Sequence, residues 1–166
     1  MNCNQWEQVG KGGACVKFGT CGKEPDTSAL QELLIHVLQG TAFWANEGRK
    51  AGIVDDVADV FTVEGVFSTL TNVDFDDLRL EGLIRKGVEV REELKRKVEE
   101  AGGTVEFDHP SISFTPAEDL AGLVAQGELV SLTGEGSENP DITSLKQILL
   151  YGLKGLAAYA DHAQIL

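Results

Sequence analysis

The stretch Asp26-Thr27-Ser28-Ala29-Leu30-Gln31-Glu32-Leu33-Leu34-Ile35-His36-Val37-Leu38-Gln39-Gly40-Thr41-Ala42 decides the fold. Leu30, Leu33, Leu34, Val37, Leu38 and Ala42 recur at spacings of three and four, the period of a helix with one buried face. After Pro25, Asp26 or Thr27 is placed to cap this helix, which should run to about Lys50 and end before Gly52. Working outward, a second helix is expected over 57–71. A third should start at the acidic cluster 74–77, carry Leu78, Leu83, Ile84, Val88, Val90 and Leu94, and stop at Gly102-Gly103. Its outer face sets Glu81 before Arg85, Glu92 before Arg96 and Glu93 before Lys97, the favoured order for pairs four residues apart. That reads as a solvated helix face rather than a binding patch.

Residues 103–116 break the period. Val105 with Phe107, and Ile112 with Phe114, alternate as short extended pieces do. A further helix is expected to open on a capping box, with Thr115 as cap, Pro116 in the first turn and Glu118 at the third position. Residues 134–140 read as loop. The final helix should begin near 141–144 and carry Leu145, Ile148, Leu149, Leu153 and Leu156 to the end. Comparing it with the first helix gives an internal repeat at a constant spacing of 115 residues, from Leu30 to Leu145. Leu34, Leu38, Gly40, Ala42 and Ala45 match Leu149, Leu153, Gly155, Ala157 and Ala160, and Trp44 stands opposite Tyr159. Small residues on one face permit close helix packing, a structural role that needs no ligand. The expected fold is all-α, two packed helical bundles related by the repeat, behind a Cys/Gly-rich N-terminal loop. The divisions are 1–25 (cluster-binding loop), 26–102 (first bundle), 103–116 (irregular linker) and 117–166 (second helical segment, completing the bundles).

All three cysteines, Cys3, Cys15 and Cys21, fall in the first 21 residues, interleaved with Gly10, Gly12, Gly13, Gly19 and Gly22. Thiolates are soft ligands for zinc or iron–sulfur clusters, and glycine lets backbone wrap closely around an inorganic core. Paired CxxC units are absent, so three other readings stand beside a metal site: small buried residues, a disulfide with one spare thiol, or the remnant of a lost site.

The run Met1-Asn2-Cys3-Asn4-Gln5-Trp6-Glu7-Gln8, continuing through Cys15 to Cys21-Gly22-Lys23, resembles the opening of the hybrid cluster proteins, also called prismane proteins or hydroxylamine reductases. The resemblance extends to 30–40, to Phe67-Ser68-Thr69-Leu70-Thr71-Asn72 with the aspartates after it, and to Tyr151-Gly152-Leu153-Lys154-Gly155 with Ala157-Ala158-Tyr159. It implies an N-terminal helical domain in which four cysteines hold a proximal iron–sulfur cluster for electron transfer. Cys3, Cys15 and Cys21 fall where three of them fall, and Trp6 stands where the second would be. A three-cysteine site then implies a 3Fe-4S form, or a 4Fe-4S form with a non-cysteine ligand, for which Glu7 is the nearest carboxylate. The alternative is a helical interaction or scaffold domain that keeps the fold without a cluster. The family's catalytic hybrid-cluster domains, with their His, Glu and Cys ligands, have no counterpart in this sequence. No catalytic residue is therefore assigned, and the partners implied are a reductase or those domains.

Composition bounds the rest. Hydrophobic residues make up 42% of 166, enough to bury a core in one domain or two small packed subdomains. No apolar run reaches the ~18 residues that would span a bilayer. The first eleven residues are too polar for a signal peptide, and an odd number of cysteines without export signals points to the reducing cytoplasm. A net charge of −13 opposes binding to nucleic acid or anionic membrane. Glu106-Phe107-Asp108-His109 is the single Glu-x-x-His spacing, whereas a di-iron bundle needs two. His36 and His162 read as hydrogen-bonded packing residues. No Gly-x-Ser-x-Gly elbow occurs, and Gly10-Lys11-Gly12-Gly13 does not continue into a phosphate loop.

Overall fold

In the computed structural model, which describes residues 1, 3–6, 9, 13–130 and 139–166, five α-helices and one 3-10 turn account for the ordered elements. They are α1 (Pro25–Lys50), α2 (Asp56–Ser68), α3 (Asp77–Glu100), the 3-10 turn (Pro110–Ile112), α4 (Leu120–Leu129) and α5 (Pro140–Ile165). The chain is all-helical, and among the described residues the only extended pairing is an isolated bridge between Cys3 and Cys15.

The helix read from 26–50 is the centre of the molecule. α1 buries Leu30, Leu33, Leu34, Val37, Leu38 and Trp44. It also buries Gln31, His36 and Thr41, because α3, α4 and the 3-10 turn pack around it. A helix enclosed this way is apolar over most of its circumference. Its start corrects the expectation. The chain enters the helix at Glu24, whose side chain makes no capping bond, with Pro25 in the first turn. Thr27, freed from capping, donates its hydroxyl to Asp77 Oδ1 at 2.7 Å and fastens α1 to the beginning of α3. Past Lys50, Gly52 takes a positive φ of 79° and turns the chain out, where the sequence placed the stop.

α2 starts earlier than expected because Asp55 accepts the Ala58 N–H and caps it. Leu80, Ile84, Val90, Leu94 and Val98 of α3 complete the core against α1. Of the three ion pairs expected on α3, Glu81–Arg85 forms at 2.7 Å and Glu93–Lys97 is loose at 3.7 Å. Glu92 bonds Arg91 instead, and Arg96 takes Glu93 and Glu100.

Arg91 is not part of a solvated face. It is buried, and its guanidinium donates to the carbonyls of Ser111 (2.9 Å) and Phe114 (2.7 Å). That explains how the irregular segment lies against the core: backbone carbonyls without helical partners need buried donors, and Arg91 supplies them. The same segment carries the 3-10 turn, closed by His109 Nδ1 accepting the Ser111 N–H, so the short extended pieces expected there form no strand among the described residues.

The capping box at Thr115 is also corrected. α4 begins at Leu120 with Asp119 as its cap, accepting the Gly122 N–H at 2.8 Å. Thr115 and Ala117 are held instead by the Gln126 side chain, which bonds the Thr115 carbonyl and the Ala117 N–H. α5 begins at Pro140 after an Asn139 cap, slightly before the expected start. The loop expected at 134–140 lies mostly outside the described residues.

α5 packs on α2, not on α1, and this separates the two halves of the sequence repeat. Leu30, Leu34 and Leu38 are almost wholly buried, whereas Leu145, Leu149 and Leu153 stay 66%, 64% and 46% exposed. Gly40 meets the Ser111 backbone in a tight crossing with the 3-10 turn; Gly155 faces open space. The face α5 buries holds Lys154 and Ala157, while Leu149 and Leu153, still about half exposed or more, line an open cleft with Ile35 and Leu38 of α1 and Val66 of α2.

Candidate metal centre

The N-terminal segment closes on itself through Cys3 and Cys15. Each donates its backbone N–H to the other's carbonyl, at 3.1 and 2.8 Å, bringing two cysteines twelve positions apart onto neighbouring strands of a short loop. The turn before α1 completes it: Gly22 N–H bonds the Gly19 carbonyl, and Gly19 N–H bonds the Lys23 carbonyl. Gly13 and Gly22 hold φ values of 93° and 95°, a region that favours glycine. A side chain at Gly19 would put its Cβ 3.1 Å from Cys21 Sγ. Gly10 and Gly12 lie outside the described residues.

Cys3, Cys15 and Cys21 line one pocket with Trp6, Lys23 and Thr71, and all three thiols are free of disulfides. This removes the disulfide reading. Cys15 is buried and its sulfur meets the N–H and the hydroxyl of Thr20, each at 3.5 Å, while Cys3 and Cys21 are partly exposed. The space left between these side chains is about 10 Å³, room for roughly one water molecule. Among the described residues no three His, Cys, Asp or Glu side chains stand close enough together to share a metal ion. Cys3, Cys15 and Cys21 supply thiols of the type that ligates an iron–sulfur group, but their side chains do not stand together as a ligand set. The fourth side is Trp6, whose indole occupies room such a group would need. Glu7 lies outside the described residues.

Two elements from the far end of the sequence support this loop. On α5, Gln147 accepts from Asn4 Nδ2 at 3.0 Å, and one turn later the Tyr151 hydroxyl donates to Asn4 Oδ1. After α2, the Thr71 hydroxyl donates to Gln5 Oε1 at 3.4 Å. Burial, with the fields of Cys3 and Glu32, pushes the Tyr151 phenol well above its ordinary range. A further turn along α5, Lys154 is 2% exposed and donates from Nζ to the Thr69 carbonyl at the C-terminal end of α2. Burial lowers its pKa to about 8; Glu32 and Cys3 act to raise it and Lys23 to lower it. Lys23 is equally buried, its ammonium 5.9 Å from the centre of the Phe75 ring.

Sequence reasoning missed Asn4, Tyr151, Lys23 and Lys154. The signal for Lys154 was legible: it is the single charge in the apolar run Ile148-Leu149-Leu150-Tyr151-Gly152-Leu153-Lys154-Gly155-Leu156. The other candidates fall away from the thiol pocket. His36 is buried against His109 and Phe114, with ring centroids 5.8 and 5.5 Å away. It is a packing residue as expected, but its Nε2 finds no hydrogen-bond partner, and burial, then the charges of His109 and Arg91, lower its pKa to about 4. His162 is exposed and meets Phe67 edge-on.

The chain is 55% identical over its whole length to a hydroxylamine reductase of Syntrophobacter fumaroxidans, 47% to one of Methanocella arvoryzae and 43% to one of Geobacter sulfurreducens. In each case it spans 31% of the relative's length, so it corresponds to part of those proteins. The family described as Prismane/CO dehydrogenase matches residues 1–166, and the chain belongs to it.

Proposed function

We propose that this chain is the N-terminal iron–sulfur, electron-transfer domain of a hydroxylamine reductase-like protein, working in the cytoplasm. Its cluster, of the 4Fe-4S or 3Fe-4S type, would be held by Cys3, Cys15 and Cys21. The observation that carries the reading is that three thiols outside any disulfide line one pocket, in a loop fastened to α2 and α5. An iron–sulfur cluster bound there supplies one-electron transfer at a potential set by its charge, hydrogen bonds and exposure to solvent. The chain's own residues bind and shield. The thiolates would ligate the cluster, Thr20 donates toward the Cys15 sulfur, and Trp6 with Val9 limits water at the pocket. Electrons would enter from an external reductase and leave toward catalytic domains that lie outside this chain.

The second reading, a helical scaffold domain without a cluster, is favoured by one observation, the pocket closed by Trp6. Anaerobic reconstitution with iron and sulfide separates the two. Bound iron and sulfide above a triple Cys→Ser control, with visible absorption that bleaches on reduction, is expected of the electron-transfer domain. Trp6→Cys should then raise iron content, because it restores a thiolate and opens the pocket. Iron no higher than the control in both proteins refutes the cluster.

A further inference from the structure

α5 has two opposed faces of opposite chemistry. Gln147, Tyr151 and Lys154 bond the cysteine loop and the end of α2. On the other side lie Ile142, Leu145, Leu149, Gly152, Leu156 and Tyr159, all exposed. Their spacing of three and four is that of a seam along which one helix packs on another, and it runs for about 26 Å at 1.5 Å per residue. A contiguous apolar stripe of that extent marks an interaction surface.

The backbone narrows the choice of occupant. Gly152 sits inside the helix with nothing within 4 Å of the place its Cβ would take, so it weakens α5 and packs on nothing in this chain. Gly40 and Gly127 carry the same helical cost at places where another backbone crosses, Ser111 and Ala29. Beside the seam, Leu149 and Leu153 open onto the apolar cleft of about 390 Å³ that Ile35, Leu38 and Val66 also line. This surface fits a helix that comes close at Gly152 and sends side chains into the cleft. A second copy of the chain fits poorly. Each copy has a net charge of −13, and α5 holds no carboxylate between 142 and 160 to meet Lys146 of the other. The chain spans 31% of each reductase relative, which leaves the larger part of such a protein to supply the helix.

We propose that this face of α5 is the docking surface for the rest of the reductase: one amphipathic helix, from the part of such a protein that this chain does not cover, lies along Leu145, Leu149, Gly152 and Leu156 and fills the cleft. α5 then stands between the cysteine loop and the docked part, one helix diameter of about 10–12 Å separating them. This deepens the proposed function and rests on its placing of catalysis in domains outside this chain, not on the presence of a cluster.

Hydroxyl-radical footprinting read by mass spectrometry tests it, on the 166-residue chain and on a chimera in which this chain replaces the matching 31% of the Syntrophobacter fumaroxidans reductase. Labelling of Leu145, Leu149, Leu156 and Tyr159 should fall by about fivefold or more in the chimera, as passage from the surface into the core of an interface requires. Gly152→Leu should raise the urea midpoint of the isolated chain, where the new side chain meets nothing, and restore most of the labelling in the chimera, where it holds the docked backbone away. Unchanged labelling in the chimera overturns the proposal, and so does protection that Gly152→Leu leaves intact. A lower midpoint for Gly152→Leu in the isolated chain overturns it too, as does an isolated chain that light scattering shows to be a dimer with Leu149 protected. If the chimera does not fold, the helix matching α5 is footprinted in the Syntrophobacter reductase itself, and exposure of its outer face there decides against docking. Failure of the chain to bind iron would refute the cluster and leave these labelling rates to decide on the surface.

Discussion

Gly40 and Gly155 share a place in the sequence repeat and nothing in their surroundings, so one methyl group at each should move stability in opposite directions. At Gly40 a Cβ would press on the Ser111 carbonyl oxygen, 2.9 Å from Ser111 C and 3.0 Å from Arg91 Cδ. Neither neighbour is free to yield, because Arg91 Nη1 holds the Ser111 carbonyl at 2.9 Å while its other nitrogens hold Phe114 and Glu92. Overpacking of this kind costs about 1–3 kcal/mol, and contact with backbone puts Gly40→Ala at the upper end. The gain in helix propensity, about 1 kcal/mol, offsets part of that and leaves a net loss of about 2 kcal/mol. At Gly155 nothing lies within 4 Å of the added atom, so Gly155→Ala keeps the propensity gain of about 0.5–1 kcal/mol. The variants should therefore differ by about 3 kcal/mol, or about 6 °C or more in Tm for a chain of this size. Urea unfolding followed by far-ultraviolet circular dichroism measures the gap directly, provided the slope m stays constant. If both variants raise the midpoint, the crossing of α1 with the 3-10 turn is wrong; if both lower it, α5 is covered at Gly155.

His36 titrates near 4 in the folded chain against 6.5 in the unfolded one, so the unfolded state binds the extra proton between those values. Its contribution, at most about 3 kcal/mol, should be complete above 6.5 and be lost as pH falls toward 4. A proton NMR titration placing the His36 ring near its ordinary value would refute this. The 166-residue chain alone, which spans 31% of its reductase relatives, should not reduce hydroxylamine with reduced viologen as donor. Turnover above a metal-free control would contradict the assignment of catalysis to domains outside it.

The helices were legible because periodicity records which residues of an element avoid water, and α1 and α3 are buried along the faces their leucines and valines mark, except at Leu78, which lies in the first turn of α3 and stays exposed. The stops were legible where a glycine must take a positive φ, as at Gly52 and Gly102. The caps were less so. Asp119 and Thr115 are both good cap types four positions apart, and Gln126, a residue well inside the helix, binds the segment before it and holds Thr115 away from the cap. The repeat misled for a similar reason. Identical spacing gives identical helices but does not say what lies against each of them, and the partner that reaches Gly40 is a 3-10 turn with no counterpart beside Gly155.

The candidate site was half legible. Cysteines announce themselves by type, whereas Asn4, Tyr151 and Lys154 matter through contacts spanning more than 140 residues or through burial that a helical period does not predict. Yet Lys154 breaks its own apolar run, and a charge retained in such a run has to be explained by something it faces. α5 turns outward Leu145, Ile148, Leu149 and Leu156, each more than half exposed, and turns inward the ammonium group. A helix that only filled a core would sit the other way round, since burying a leucine gains about 1.5–3 kcal/mol and burying a charge costs energy. The orientation of α5 is therefore set by polar contacts to the cysteine loop and the end of α2, through Gln147, Tyr151 and Lys154, which recur at four and three along one face. That face ties the last helix to the first cysteine, so the loop that carries the thiols is held by the helical body rather than hanging from it.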